Sequence, residues 1–195
     1  MTRRPPTFRP VTPDRWKDFE ALFGERGACA GCWCMWFRGT RQVYKNNQGA
    51  GNKRRMKKII ESGQVPGILA YHDGEPVGWC AVGPRETYDA LARSRLMAPV
   101  DDRPVWSVTC LFVRKDFRRS GVSKRLLDAA ARYAATQGAR IVEGYPVEAK
   151  TADQPDPFMY HGAASAFRAA GFREVARRSP SRPIMRRAVR PRKTR

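Results

Sequence analysis

The sequence predicts one α/β domain, and its length, composition and periodicity each support this. At 195 residues the chain is within the usual size of one compact domain. Hydrophobic residues make up 42% of it, with five Trp, nine Phe and six Tyr, which is too much large apolar surface for a disordered chain. Strand-like and helix-like patterns follow one another in the order β-α-α-β-β-β-α-β-α-β-β. We therefore expect one folded domain over residues 1–189 and a basic tail over 190–195.

The first half of the chain predicts strands and helices with clear boundary signals. Thr12 is a residue type that caps helices, and Pro13 suits the first helical position. Apolar residues then recur at helical spacing up to Phe23. The His72–Glu75 turn between two apolar runs is typical of a β-hairpin. The expected elements are a strand over 7–11, helices over 12–23 and 52–62, strands over 67–71 and 76–82, and a short helix within 86–94.

The second half of the chain predicts a buried strand followed by a long helix. Residues 105–113 are rich in β-branched and aromatic side chains, as buried strands are. In the next helix Leu127, Ala130 and Ala134 share one face, and Gly138 lies beyond its end. The expected elements are the strand over 105–113, a helix over 123–137, a strand over 140–145, a helix over 162–170, and strands over 173–176 and 184–188.

The charge of the chain indicates an affinity for anions. Lys and Arg number 38 against 18 Asp and Glu, which gives a net charge of +20. Half of these basic residues lie in two segments, 38–60 and 168–195. Such charge is typical of a solvated surface, of a site for anionic substrates or of a nucleic-acid-binding protein. No helix-turn-helix, zinc-finger or RNA-recognition signature accompanies this charge. Nucleic acid is therefore left open as a partner on the basis of the charge alone.

The sequence predicts a cytoplasmic protein with no membrane partner. Its first residues lead into no apolar signal segment, and no apolar run is long enough to span a bilayer. Five Cys is an odd count without a regular spacing, which is typical of a reducing compartment. Cys29, Cys32 and Cys34 lack a second Cys pair to complete a structural zinc site, so no metal is expected.

The stretch from Leu111 to Leu127 has the pattern of a phosphate-binding turn. A predicted strand ends, a short basic turn with small residues follows, and a helix begins. Small residues let backbone N–H groups approach an anion, and the helix N-terminus adds positive potential. Neither the P-loop pattern nor the Gly-x-Gly-x-x-Gly pattern of dinucleotide-binding folds is present. The predicted pyrophosphate cradle consists of Arg118, Arg119, Ser120, Gly121, Val122 and Ser123.

This stretch resembles the pyrophosphate motif of the GNAT superfamily of acetyl-CoA-dependent N-acetyltransferases, Leu-x-Val-x-Pro-x-x-Arg/Gln-x-x-Gly-x-Gly/Ala. The chain has Lys115 where the family often has Pro, and Ser123 where it has Gly or Ala. A second stretch, over 160–172, is similar to the family's Asn-x-x-Ala-x-x-x-Tyr-x-x-x-Gly-Phe helix. The family positions that match in the first motif and its helix are Leu111, Val113, Arg118, Gly121, Leu126 and Leu127.

The resemblance implies a fold, a co-substrate and a reaction. The fold is a mixed, mostly antiparallel sheet, splayed between the strands over 105–113 and 140–145, with helices on both faces. Acetyl-CoA would lie in the splay, with its pantetheine arm against the backbone of Leu111, Phe112 and Val113. A small-molecule or protein amine would attack the thioester directly, because the sequence places no His partner beside Cys110 for an acyl-enzyme. An acceptor amine on RNA or on a nucleic-acid-bound protein, and a homodimer, are left open.

The proton donor to the departing CoA thiolate is an open question in the sequence. Phe167 stands where many family members have the Tyr that protonates the thiolate. Because Phe has no proton to give, we expect it only to pack the thioester end of CoA. The candidate donors are Tyr160, expected two helical turns before Phe167, and Tyr145, with His161 as a further candidate. Packing in the core is the alternative for all three, and a thiolate can also leave unassisted.

Glu143 is the candidate general base that would take the proton of the acceptor amine. It alternates with Ile141 and Tyr145 on the predicted strand over 140–145. A buried carboxyl group is costly unless it is paired, and burial would raise its pKa toward 7, which suits a base. The alternative for Glu143 is an ion pair with a neighbouring Arg, and Glu148 is the alternative base.

A Cys/Trp-rich loop between the first two predicted helices is similar to that of a bacterial GNAT subgroup. It contains Trp33, Met35, Trp36 and Phe37. In a GNAT domain this loop would lie beside the acceptor cleft, where aromatic faces shape a pocket and can hold a cation. Packing in the hydrophobic core is the alternative.

Overall fold

Seven strands form one mixed sheet in this computed structural model, which describes residues 5–148 and 160–191. Their order across the sheet is β1-β2-β3-β4-β5-β7-β6, and only β4 and β5 run parallel. The predicted fold class is therefore confirmed. Residues 192–195 of the expected basic tail lie outside the described residues. The strands are β1 (Thr7–Pro10), β2 (Gly67–His72), β3 (Glu75–Pro84), β4 (Trp106–Val113), β5 (Ile141–Gly144), β6 (Arg173–Arg177) and β7 (Pro183–Ala188).

The α-helices include one that the sequence analysis did not predict. Within the expected loop Thr40 caps a six-residue helix by accepting a hydrogen bond from the Val43 N–H. Thr12 takes the N-cap position of a 3-10 turn that precedes the first α-helix, with Pro13 after it, but its hydroxyl donates to Asp14 and caps no backbone N–H. The helices are α1 (Trp16–Phe23), α2 (Arg41–Asn46), α3 (Ala50–Glu61), α4 (Asp89–Ala92), α5 (Val122–Thr136) and α6 (Ala164–Ala169).

The splay lies between β4 and β5, as the sequence analysis expected. The two strands pair only from Trp106–Val142 to Val108–Gly144. Beyond that point β4 continues beside β3 alone, after a bulge that leaves Thr109 without a partner on β3. A bulge of this kind bends a strand and increases its twist. Two strands that begin as neighbours therefore diverge and leave an opening between their carboxyl ends.

The hydrophobic core forms on both faces of the sheet. Leu126 and Leu127 of α5 pack on one face, and Phe19 of α1 and Met56 of α3 pack on the other. Full burial of each such side chain contributes about 1.5–3 kcal/mol. A third apolar cluster lies near the opening and comprises Phe37, Tyr88, Leu91, Tyr145 and Ile184. No helix of the described residues combines the length and apolar character needed to cross a bilayer.

Candidate active site

The predicted pyrophosphate cradle is a turn of special backbone geometry between β4 and α5. Arg119 (φ 60°) and Gly121 (φ 80°) both adopt left-handed conformations, which only glycine takes without strain. A Cβ added at Gly121 would meet no atom within 4 Å, so this side of the turn faces open space. The first N–H groups of α5 have no intrahelical acceptor and lie at the positive end of the helix dipole. The turn therefore fits a pyrophosphate in shape and in electrostatics.

Side chains of the same turn stabilise its conformation. The Nε of Arg118 donates to the Val113 carbonyl at 3.0 Å, which folds the guanidinium back along the end of β4. The Ser120 hydroxyl donates to the Phe117 carbonyl and closes the turn. Arg119 is exposed. The structure thus places residues 118–121 in one turn that leads directly into Val122 and Ser123, the first residues of α5, and the contact of these residues with CoA stays a prediction.

The backbone N–H groups of β4 alternate between β3 and the opening. The Arg114 N–H donates to a carbonyl of β3, so the N–H of Phe112 also faces β3 and those of Leu111 and Val113 face the opening. The Leu111 N–H donates to the Tyr160 carbonyl at 2.7 Å. A thioester or pantetheine carbonyl would therefore reach the Leu111 N–H only by displacing the Tyr160 carbonyl.

Phe167 fills the inner end of the opening. It is fully buried on α6, and its ring meets the edge of Phe172 at a centroid distance of 5.0 Å. A Cβ added at Gly144, the last residue of β5, would lie 2.2 Å from the Phe167 ring, so only glycine fits there. Phe167 is thus a packing residue at the point where β4 and β5 part, and its contact with CoA stays a prediction.

Tyr160 does not lie on the helix of Phe167, so that expectation is wrong. The helix α6 begins at Ala164, and Tyr160 lies in the turn before it. Gly162 between them has φ 81°, outside the helical region, and a Cβ added there would lie 2.6 Å from the Leu111 side chain. Gly162 therefore packs closely against β4, and the chain before α6 does not form the helical turn that would have carried Tyr160. Burial raises the pKa of Tyr160, so its phenol keeps its proton at neutral pH.

Buried polar atoms without hydrogen-bond partners lie on two neighbours of Tyr160, His161 and Arg182, and on Arg38, the residue after Phe37. They include the Nε of Arg38, the Nδ1 of His161 and one terminal nitrogen of Arg182. The His161 ring lies 4.3 Å from the Tyr160 ring and 5.3 Å from the Phe37 ring, centroid to centroid. Burial, aided by the charge of Arg182, holds the pKa of His161 well below its usual range, so the imidazole is neutral. We call Arg38, His161 and Arg182 the open cluster.

Glu143 is fully buried on β5, with both carboxylate oxygens engaged. Its Oε1 accepts from Arg85 at 3.2 Å and from the Tyr145 hydroxyl at 2.6 Å, and its Oε2 accepts from the Nε of Arg186 at 2.7 Å. Glu143 is therefore buried on its strand, and its partners are the arginines of the ion-pair alternative. A role of Glu143 as general base stays a prediction.

Tyr145 and Ser107 extend the contacts of Glu143 across to β4. The hydroxyl of Tyr145 lies 2.9 Å from the Ser107 hydroxyl and accepts a hydrogen bond from Arg85. Burial, and then the charge of Glu143, raises the pKa of Tyr145, so this phenol stays protonated. The structure thus joins two of the three candidate catalytic residues, Glu143 and Tyr145. We call Arg85, Ser107, Glu143, Tyr145 and Arg186 the closed network.

Arg38 is a candidate functional residue that the sequence analysis missed. Its side chain is buried, with 8% of its surface exposed. It donates to the Tyr88 hydroxyl at 3.3 Å, and its guanidinium carbon lies 4.6 Å from the centroid of that ring. The Tyr88 hydroxyl in turn contacts Thr109 at the bulge of β4. The only sequence signal for Arg38 is its position directly after the apolar run over 33–37.

Two thiols lie near Arg38, that of Cys34 in the loop before it and that of Cys110 on β4. The Cys110 thiol donates to Cys34, which lowers the pKa of Cys34, and the Trp79 indole N–H (3.2 Å) and the Arg38 charge act in the same direction. The same hydrogen bond, with burial, raises the pKa of Cys110 well above its usual range. Cys110 is therefore a protonated thiol rather than an activated nucleophile. In the described part of the chain no group of three His, Cys, Asp or Glu side chains is arranged to hold a metal ion.

The Cys/Trp-rich loop is divided between the core and the surface. Trp33 and Met35 are buried, and the Trp33 ring stacks on Phe23 at 5.8 Å. Trp36 is 42% exposed, and Phe37 meets the edge of His161. Core packing therefore accounts for the first part of the loop, and its second part borders the open cluster.

Glu148, the alternative base, lies apart from both groups of buried polar residues. It is paired with Arg168 at 2.5 Å and with Arg177 at 3.0 Å. These two guanidinium groups, Arg168 first, lower the pKa of Glu148 to about 2. A carboxylate with so low a pKa is a weak base, and the position of Glu148 gives it no advantage over Glu143.

Comparisons with known proteins agree with the resemblance seen in the motif. The model of the acetyltransferase (GNAT) family matches residues 33–149. No curated protein matches the chain in sequence. Among solved structures, a GNAT-family acetyltransferase from Listeria monocytogenes 4b F2365 is similar, with a TM-score of 0.57 and 11% identity. The match covers 97% of this chain and 99% of that one.

Two further similar structures have more specific descriptions. The PaiA N-acetyltransferase from Thermoplasma acidophilum, solved in complex with coenzyme A, has a TM-score of 0.54 and 12% identity over 95% of this chain and 100% of that one. The polyamine N-acetyltransferase from Drosophila melanogaster, which forms N-acetylagmatine, has a TM-score of 0.53 and 12% identity over the same shares of the two chains. At such identities the likeness shows the fold.

Proposed function

Because the chain belongs to the GNAT acetyltransferase family and acetyl-CoA is the co-substrate of that fold, we propose that it acetylates a primary amine by direct attack on the thioester. The observation that carries this proposal is the cradle at the start of α5, which lies directly beyond the strand that borders the opening. The cradle would hold the pyrophosphate, and the opening leads from it toward the open cluster. The pyrophosphate of acetyl-CoA and the acceptor amine would thus bind at different ends of the opening.

The reaction needs one bond to form and one to break. The lone pair of the neutral amine forms an N–C bond with the thioester carbonyl carbon, the C–S bond breaks, and its electron pair leaves with the CoA sulfur. The nitrogen then loses a proton, and the thiolate gains one. The N–H of Val113, which lies on the open side of β4 and is not the one bonded to Tyr160, would stabilise the negative charge that develops on the carbonyl oxygen.

Tyr160 is the proposed donor of the proton to the thiolate. Its phenol is protonated at neutral pH, and its backbone is held against Leu111 of β4. The Tyr160 hydroxyl interacts with the side chain of Arg182, which can only donate, whereas the Tyr145 hydroxyl already donates its proton to Glu143 inside the closed network. Since both oxygens of Glu143 are also engaged, we propose that the amine loses its proton to water rather than to this carboxylate.

The cofactor site is tested by thermal unfolding with acetyl-CoA and by one substitution in the cradle. A ligand at 100 times its Kd stabilises the native state by about 2.7 kcal/mol, so the midpoint should rise by several degrees. The Gly121→Glu variant should still fold, but acetyl-CoA should no longer raise its thermal midpoint. The added carboxylate would occupy and repel the pyrophosphate position. No rise in the wild type would contradict the proposal.

The matched control for that substitution is Gly138→Glu, at the other end of α5. Gly138 has φ 88° and, like Gly121, meets no atom within 4 Å of an added Cβ, so the strain and the added charge are the same. The control should keep the rise with acetyl-CoA. Binding to polynucleotides that falls steeply with salt, without release of thiol from acetyl-CoA, would instead favour a nucleic-acid-binding protein.

A further inference from the structure

We propose that the acceptor amine also carries a carboxylate, as an amino acid does, and that Arg38 binds this carboxylate. The inference rests on the proposed function and names the class of acceptor. Arg38 is a buried cation. Arg38 has 8% of its surface exposed, and no carboxylate of the described residues forms an ion pair with it. A buried charge without a counterion is costly, so its retention calls for a ligand that supplies one.

The contacts of Arg38 leave part of its hydrogen-bonding capacity unused. Its Nε has no partner, and its bond to the Tyr88 hydroxyl is long, at 3.3 Å. The nearby Cys34 sulfur already accepts hydrogen bonds from the Trp79 indole and the Cys110 thiol, so it does not serve as a dedicated acceptor for Arg38. A guanidinium group presents its N–H donors in a planar fork that matches a carboxylate. The unfilled edge of Arg38 is therefore suited to that ligand.

The position of Arg38 places this ligand beside the reacting bond. The Tyr88 hydroxyl that touches Arg38 also contacts Thr109, the bulge residue at which β4 leaves β5. Phe37, the residue before Arg38, packs on His161, which follows the proposed proton donor Tyr160. An amine directed at a thioester in the opening would thus have its own carboxylate within reach of Arg38.

The surroundings of Arg38 favour an anionic acceptor over a cationic one. The other two members of the open cluster are a second arginine, Arg182, and a neutral imidazole. Phe37 and Gly39, the chain neighbours of Arg38, line a pocket of about 220 Å³ to which Arg41 and Arg93 contribute and no acidic side chain does, although Arg38 itself does not line it. A polyamine would meet only like charge on these residues, which disfavours binding. The acceptor class proposed here therefore differs from the polyamine acceptor of the Drosophila melanogaster enzyme.

The test compares each amino acid with the amine that remains when its carboxylate is removed. Thiol release from acetyl-CoA is measured for the common amino acids and their decarboxylated amines, with arginine and agmatine as one pair. For at least one pair, kcat/KM should be about 10-fold or more higher for the carboxylate-bearing member. In Arg38→Gln this preference should fall about 10- to 100-fold, through a higher KM for the amino acid. Turnover of the decarboxylated amine should change less than about twofold.

Two further variants make the result specific to the guanidinium group. Arg38→Lys keeps the charge but loses the planar fork, so the preference should fall between those of the wild type and Arg38→Gln. Arg54→Gln removes one exposed charge from the nearby helix α3 and should leave the preference unchanged. An equal loss for both members of a pair in Arg38→Gln would overturn the inference, since it would indicate a merely structural role.

Failure of the inference and failure of the proposed function give different results. If decarboxylated amines are acetylated as well as or better than amino acids, the enzyme is an acetyltransferase and the inference is wrong. If acetyl-CoA raises the thermal midpoint but no amino acid is acetylated, the inference is also wrong. If acetyl-CoA produces no rise and no amine of either class releases thiol, the proposed function itself has failed and the inference fails with it.

Discussion

The closed network and the open cluster adjoin the same apolar cluster but differ in how their polar atoms are satisfied. In the closed network both oxygens of Glu143 have partners, and Arg186 pairs with Asp101 as well. In the open cluster Arg38 and His161, both more than nine-tenths buried, each keep an atom without a partner. Buried polar groups that satisfy one another hold a fold together, whereas those left unsatisfied cost stability and need another reason to be kept. Arg186 and Arg38 thus differ in that the first has carboxylate partners and the second has none among the described residues.

The largest expected effect is the loss of stability when the closed network is broken. Glu143→Gln leaves two buried guanidinium groups without their shared carboxylate, which should lower the free energy of unfolding by about 3–5 kcal/mol. Urea unfolding followed by circular dichroism measures this change. At a temperature where the variant stays folded, its turnover should remain within about tenfold of the wild type.

A different outcome for Glu143→Gln would support the base role that the sequence suggested. Loss of a general base costs about 10²-fold or more in rate and removes the acidic limb of the rate–pH profile. If turnover falls that far while stability hardly changes, the closed network is catalytic and the comparison with the open cluster breaks down. Acetyl-CoA affinity serves as the control, because neither role places Glu143 at the cradle.

The next effect concerns Tyr160, which borders the open cluster. Tyr160→Phe removes the proposed proton donor and should lower turnover about 10²-fold, within the range for general acid–base groups. The free energy of unfolding should fall by about 1 kcal/mol, the usual contribution of one hydrogen bond, because the contact with Arg182 is lost while the backbone bond to Leu111 remains. The measurement is thiol release from saturating acetyl-CoA. Unchanged turnover would mean that the thiolate leaves unassisted or is protonated by another group.

Most of the fold was predictable from the sequence because short-range patterns of apolar residues, Gly and Pro determine where most strands and helices form. All seven strands and the helices α1, α3, α5 and α6 follow from periodicity and from Gly and Pro signals near their ends. The helix α2 was missed because six residues with a single buried side chain, Tyr44, show no apolar periodicity. Tyr160 was misplaced because the φ of Gly162 and its contact with β4 depend on tertiary structure.

The site was predictable only where one short segment builds it. The connection between β4 and α5 is local, so its sequence pattern was sufficient to predict where it lies, and its role as a cradle stays a prediction. The partners of Glu143 were not predictable, because Arg85 and Arg186 reach it from 58 and 43 residues away in the chain. Arg38 is one of eight basic residues over 38–60, and nothing local separates a buried arginine from the exposed ones.

The most direct test of the contrast compares two arginine-to-methionine variants by urea unfolding. Arg186→Met removes a guanidinium group that binds Glu143 and Asp101, and it should cost about 3–5 kcal/mol. Arg38→Met removes one without a carboxylate partner among the described residues, so the free energy of unfolding should stay within about 1 kcal/mol of the wild type or rise. If Arg38→Met is destabilised as much as Arg186→Met, Arg38 is kept for the fold and not for a ligand.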